Sequence, residues 1–115
     1  MRISLKRDVL LKPLSVAAGV VERRQSLPIL ANVLMRQEGD RLTLVGTDME
    51  VEVITHIATD QSAAGEITLP ARKLLDICRA LPEGVEMTLN LEGERMVVRA
   101  RKSRFTLSTL PATEF

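Results

Sequence analysis

The chain has 115 residues, 45% of them hydrophobic, 27% charged and only 2% aromatic, with a formal net charge of +1. That length fits one domain, 1–115, whose aliphatic core of Leu, Val, Ile, Met and Ala can bury about two-thirds of the unfolded surface, and the composition excludes disorder. A single cysteine, Cys78, excludes an internal disulfide, and no run has the pattern of a leader or the ~20 apolar residues of a membrane span, so a cytoplasmic location is expected.

Alternation of apolar and polar residues predicts a strand over 2–6, and the spacing of Leu10, Leu14, Ala17 and Val21 predicts a helix over about 7–22. Pro13 lies inside that helix, where a kink or a loosened turn is expected. Strands follow near 30–37, 41–47 and 50–57. A further strand, 66–69, leads into a second helix over about 71–81 with Leu74, Cys78 and Leu81 on one face, and strands at 85–91, 94–100 and 103–109 complete the chain.

The chain also repeats itself. Ile3-Ser4-Leu5 followed by Leu10-Leu11 recurs as Ile67-Thr68-Leu69 followed by Leu74-Leu75, and Glu38-Gly39-Asp40-Arg41-Leu42 recurs as Glu92-Gly93-Glu94-Arg95-Met96. The first match is a strand running into a helix; the second is a glycine hairpin between strands. Each half reads strand, helix, strand, strand, strand. The first half has an extra segment, Arg23-Arg24-Gln25-Ser26-Leu27-Pro28, where an exposed loop is expected. The predicted fold is α+β, with two βαβββ half-repeats and two helices packed on six or more antiparallel strands.

Charge is unevenly placed. Residues 37–66 hold Glu38, Asp40, Asp48, Glu50, Glu52, Asp60 and Glu66 against Arg41 alone, whereas 95–104 hold Arg95, Arg99, Arg101, Lys102 and Arg104 and no acid. A protein that touches phosphates with one surface and avoids them with another needs such a division, and plain solubility is the alternative.

Material for catalysis is thin. His56 is the one histidine, and Cys78 falls on an apolar helix face, where a thiol is structural. Asp48, Glu50 and Glu52 share one parity before His56; such a row can bind a hard cation, but alternating acid on a strand is usually the solvated face of a half-buried sheet. No glycine-rich phosphate loop, metal-spaced Cys/His pair or nucleophile and base is present, so neither enzymatic activity nor a cofactor is expected. The helices offer more. Arg72, Lys73 and Arg79 on the second, with Arg7 and Lys12 on the first and Arg23-Arg24 after it, suit a phosphate-facing surface. With no Trp or Tyr and only Phe105 and Phe115, base stacking has almost nothing to work with, and backbone contact without sequence readout is what remains.

Leu27-Pro28-Ile29-Leu30-Ala31-Asn32, Gly46-Thr47-Asp48-Met49-Glu50, Pro70-Ala71-Arg72-Lys73 with Asp76-Ile77-Cys78, and Ser103-Arg104-Phe105-Thr106-Leu107-Ser108-Thr109-Leu110-Pro111-Ala112 resemble the first domain of the bacterial DNA polymerase III beta subunit family, the replicative sliding clamps. The resemblance covers the whole chain in order. It implies the DNA-clamp fold and a three-domain subunit, two copies of which join head to tail as a dimeric ring around duplex DNA. Helices line the hole and sheets form the wall, and the ring is a processivity factor that tethers the replicative polymerase.

By motif position, the resemblance assigns Arg24, Arg72, Arg79 and, less directly, Lys12 to DNA, and Lys73, Lys102, Arg104 and Phe105 to the contact with the second subunit. Lys102 stands where the family has an arginine, which keeps the charge and loses the bidentate fork. The polymerase and the clamp loader would bind through later domains. Because the family chain is about three times longer, the 115 residues are expected either to be inactive alone or to form a ring of single-domain copies. The second outcome needs an acidic, apolar edge to meet Lys102, Arg104 and Phe105; the row Asp48, Glu50, Glu52 has the composition, but its sequence does not place it at an edge.

Overall fold

The computed structural model describes residues 1–21, 28–59 and 64–115. In chain order they form β1 (Arg2–Lys6), α1 (Arg7–Ala18), a 3₁₀ turn (Pro28–Ala31), β2 (Asn32–Glu38), β3 (Arg41–Thr47), β4 (Glu52–Ala58), β5 (Gly65–Pro70), α2 (Ala71–Ala80), β6 (Glu86–Glu92), β7 (Arg95–Ala100), β8 (Ser103–Ser108) and a short 3₁₀ turn (Ala112–Glu114). The expected order of elements in each half is present. The extra segment between the halves' helices and strands lies mostly outside the described residues, as does Arg24.

The strands make two four-stranded antiparallel sheets, ordered β1-β6-β7-β8 and β4-β3-β2-β5. Each half therefore lends its first strand to the other: β1 pairs with β6, Ile3 opposite Leu89, and β5 pairs with β2, Leu69 opposite Val33. Local alternation predicts each strand but carries no information about its partner, so the exchange is visible only in the folded chain. Hairpins close β2 on β3 and β6 on β7, with Gly39 and Gly93 both at positive φ. There a side chain would be strained.

The helices lie side by side, α1 against β3 and β4 and α2 against β2, β5 and β8. Leu10, Leu14 and Ala17 of α1 and Leu74, Leu75, Ile77 and Cys78 of α2 join Ile3, Val33, Met35, Leu42, Leu44, Leu69, Met87, Leu89, Met96 and Val98 in one continuous buried cluster. Gly46 on β3 has a specific task. A Cβ built on it would collide with the backbone carbonyl of Ala17, so α1 can approach the sheet this closely only over glycine. Burial raises the Cys78 thiol pKa to about 11, and its Sγ lies 4.0 Å from Met87 Sδ.

Three expectations change. The helix runs unbroken through Pro13 but ends at Ala18, with Gly19 in the capping position. The strand expected from residue 30 begins at Asn32, after a 3₁₀ turn. The strand expected from 50 begins at Glu52, because Asp48 closes a turn first: its Oδ1 accepts the N–H groups of Glu50 (2.9 Å) and Val51 (2.7 Å). Thr47 Oγ1 donates to the Val51 carbonyl and accepts from Met49 N–H, holding Met49 at φ 81°. Alternation extends through this turn in sequence, which is why it reads as strand; hydrogen bonding by the Asx side chain overrides it.

Candidate nucleic-acid interface

α2 begins at Ala71 behind Pro70, with no side-chain cap and no acid in its first turn. No capping side chain or first-turn acid therefore offsets its first N–H groups or the positive end of its dipole. Arg72, Lys73 and Arg79 line one open hollow of about 420 Å³ with Asp76, Leu75, Pro70, Ala31 and Val21, three cations against one carboxylate. Arg72 is held in place: one guanidinium nitrogen donates to the Val21 carbonyl at 3.2 Å, while its Nε is buried with no partner among the described residues. A guanidinium fixed at its base offers its remaining donors without further loss of freedom. Neither the uncapped helix start nor the Val21 anchor was identified in the sequence; the absence of Ser, Thr, Asp or Asn before Ala71 was the available signal.

The first helix differs. Arg7, read as an outward base, is only 8% exposed and pairs with Asp8 at 2.9 Å, and the Asp8 carboxylate also accepts Gly84 N–H at 2.8 Å. Its backbone N–H is bonded to the Val85 carbonyl at 2.8 Å, so the residue starts the helix tucked under the turn before β6. Lys12 is exposed, between exposed Val9 and Val16. The exposed residues of α1 thus include Val9 and Val16 with one lysine and one carboxylate, Asp8, while Arg72, Lys73 and Arg79 lie together on α2.

The carboxylates do not form a cation site. Glu52 lies on β4 and Asp48 and Glu50 in the turn before it, and among the described residues no group of three potential metal ligands comes together. Hydrogen bonds from the Val51 and Glu50 amides hold the Asp48 carboxyl below the ordinary carboxylate range. His56 is exposed on β4, with Nδ1 3.0 Å from Thr43 Oγ1 on β3. Part of the acidic segment is compensated by a residue just outside it: Arg36 Nε pairs with Glu66 at 2.9 Å and lies 3.7 Å from Glu38.

Of the remaining site residues, Lys102 is exposed in the β7–β8 turn after Arg101 (φ 52°), Arg104 is exposed on β8, and Phe105 is half-buried against the core. β8 pairs with β7 and is the last strand of its sheet. Lys73, assigned with them by resemblance, lies on α2 and lines the hollow with Arg72 and Arg79. Asn32 Nδ2 donates to Thr68 Oγ1 (3.0 Å), and Thr68 Oγ1 donates to the Leu110 carbonyl (2.7 Å), with Thr68 and Leu110 also exchanging backbone hydrogen bonds. Two of the four sequence motifs therefore meet at β5, where the chain leaving β8 is tied to the other sheet. Among the described residues no helix is long and apolar enough to cross a membrane.

A family model described as the DNA polymerase III beta subunit, N-terminal domain, matches residues 1–115. The beta sliding clamps of Pseudomonas aeruginosa and Escherichia coli are 53% and 49% identical over 116 residues, covering all of this chain and 32% of each relative. The chain thus spans about a third of the length of the curated relatives it matches. Among solved structures, a Pseudomonas aeruginosa sliding clamp bound to griselimycin superposes on the whole chain with a TM-score of 0.97 at 52% identity, over 31% of its own length. A DNA polymerase sliding clamp from Caulobacter crescentus gives 0.96 at 42%, over 32% of its length.

Proposed function

The chain belongs to the DNA polymerase III beta subunit family, matching its N-terminal domain, and on that premise we propose that it is one clamp domain, 1–115, whose α2 face holds duplex DNA through phosphates without reading sequence. The observation that carries this reading is the hollow of Arg72, Lys73 and Arg79 around an uncapped helix start. Cations gathered beside an uncapped helix start, with Arg72 anchored at the Val21 carbonyl, complement phosphate oxygens. Aromatic stackers are nearly missing from the chain, so contact lies on the backbone and leaves the DNA free to slide. The role is structural and needs no catalytic group or cofactor. Arg24, outside the described residues, and Lys12 on α1 are proposed to extend the same surface.

As part of a full-length ring in the cytoplasm, the domain is proposed to encircle DNA and serve polymerase processivity. The second subunit, in a head-to-tail dimer, meets Lys102, Arg104 and Phe105 on β8, with Lys73 alongside. Polymerase and clamp loader engage segments of the longer relatives that this chain does not match.

Duplex binding measured against salt tests the DNA reading. The domain alone binds with a Kd on the order of 10⁻⁴ M or weaker at physiological salt, and Arg72→Ala with Arg79→Ala lowers the slope of log K against log salt by about 2. An unchanged slope overturns the assignment of α2 to DNA.

A further inference from the structure

We propose that Pro111–Phe115 is a strap, latched by Phe115, that opens and closes over the outer face of the β4-β3-β2-β5 sheet while the rest of the domain stays folded. That face is the one turned away from the helices. Val33 and Met35 on β2, Leu42 and Leu44 on β3 and Ile67 and Leu69 on β5 join the core, so Leu34, Val45 and Thr68 point out, as does Ile54 on β4, of opposite parity to buried Ile57. Register sets Thr68, Leu34, Val45 and Ile54 side by side in one row across the sheet.

An outward row of an antiparallel sheet meets water unless something covers it. Here Thr68 is 0%, Leu34 6% and Val45 7% exposed, and Ile54 alone of the four is open, at 52%. Leu34 and Val45 are buried yet stand apart from the core cluster, so their cover comes from outside the sheet. It is the segment that follows β8. Leu110 runs beside β5, where its N–H donates to the Thr68 carbonyl and its own carbonyl accepts both the Thr68 N–H and Thr68 Oγ1. Ala112 and Thr113 then line a hollow with Glu66 and Ile67, and half-buried Phe115 lines another, of about 380 Å³, with Leu34, Val45 and Ile54. The segment therefore follows the row from β5 toward β4 and leaves its last position uncovered.

Its two ends are held by different means. Leu110 is pinned by the hydrogen bonds to Thr68. Beyond it, Pro111 has no N–H to give, and the N–H groups of Glu114 and Phe115 are used inside the segment, on the carbonyls of Pro111 and Ala112, both at 3.1 Å. Among the described residues no hydrogen bond or ion pair joins 111–115 to the sheet, so the ring of Phe115 is the latch. Releasing it gives up apolar contact and breaks no hydrogen bond to the sheet. A segment held this way opens locally, well below the free energy at which the packed core unfolds. Opening turns at Leu110–Pro111 and bares Leu34 and Val45 beside Ile54, so the strap sets how much apolar surface the outer face presents.

The test is thiol labelling of the 115-residue chain under native conditions. Cys78 is the one cysteine and is buried in the core, so within the same molecule it reports opening of the whole domain. Val45→Cys adds a probe beneath the strap, Leu34→Cys repeats the measurement one strand away, and Ile54→Cys places a probe beside the strap; each is used once its thermal melt matches that of the unaltered chain. The thiols introduced at 45 and 34 label faster than Cys78. Phe115→Ala speeds them by about tenfold, the order expected from one half-buried aromatic side chain, while labelling of Cys78 and of the thiol at 54 hardly moves. Phe115→Leu, which keeps an apolar latch, speeds them less. Labelling at 45 and 34 no faster than at Cys78 means that the segment leaves only when the domain unfolds, and overturns the proposal. So does a Phe115→Ala change that leaves 45 and 34 unaltered or speeds them and Cys78 alike. DNA is absent from every sample, so the outcome is separate from that of the DNA reading.

Discussion

The two helices occupy equivalent places in the repeat, yet their outer faces differ. Leu10 and Leu74 correspond, as do Leu14 and Cys78, and all four are fully buried. On the opposite faces the correspondence ends: α1 shows Asp8, Val9, Lys12 and Val16, while α2 shows Arg72, Lys73, Asp76 and Arg79. The core positions are constrained by what they pack against and keep their pattern in both halves. The solvent-facing positions are free of that constraint and differ between the halves, so internal symmetry identifies the fold and its breakdown marks where the two outer faces diverge.

The comparison can be broken most forcefully at the shared core positions. Leu10→Ala and Leu74→Ala should each cost about 2–5 kcal/mol of unfolding free energy in urea melts, by lost burial plus a residual cavity. A similar cost in both would show that the helices contribute equally to one cooperative unit, and a strongly unequal cost that one helix docks loosely.

A smaller, one-sided effect is expected beneath the helices. Gly46 corresponds to Ala100 in the second half, and Ala100 is buried with its methyl accommodated. Gly46→Ala should cost about 1–3 kcal/mol, because the new Cβ meets α1 backbone that cannot swing aside. Ala100→Gly should cost only about 1 kcal/mol. Equal costs would mean that α1 is free to rise from its sheet.

The smallest effect concerns Cys78, at the position of Leu14. Its folded pKa of about 11 lies above the ordinary 9.0. The group therefore adds stability below pH 9 that is lost as pH rises through 9 toward 11. Alkylation at pH 8 should be slow in the folded chain and fast in denaturant; rapid labelling of the native protein would show the second helix to be less well seated than the first.

Much of this was legible in the sequence. Strand alternation and helix spacing gave element order because each element buries one face. The hairpins at Gly39 and Gly93 were signalled by glycine where φ must be positive. Three features were not legible, each for a physical reason. Strand exchange between halves is a choice of distant partner that no local pattern encodes. The turn at Asp48 alternates like a strand and is set by side-chain hydrogen bonds instead. Arg7 reads as surface charge because arginine usually is, yet here its guanidinium is closed in beside Asp8. At the candidate site the cations of α2 were visible; their anchoring at the Val21 carbonyl and the bare start of the helix were not.

The exchange of first strands has a consequence for synthesis. Ser4 and Thr88, hydrogen-bonded neighbours in the finished sheet, are 84 residues apart in the chain. At about 5–20 residues per second, β1 is synthesised roughly 4–17 s before its partner. During that interval Ile3 and Leu5 have no sheet to cover them, while β2, β3 and β4 can already zip into adjacent hairpins. The sheet containing β1 is therefore the last to close, and the seconds before closure are when its apolar residues most need a chaperone.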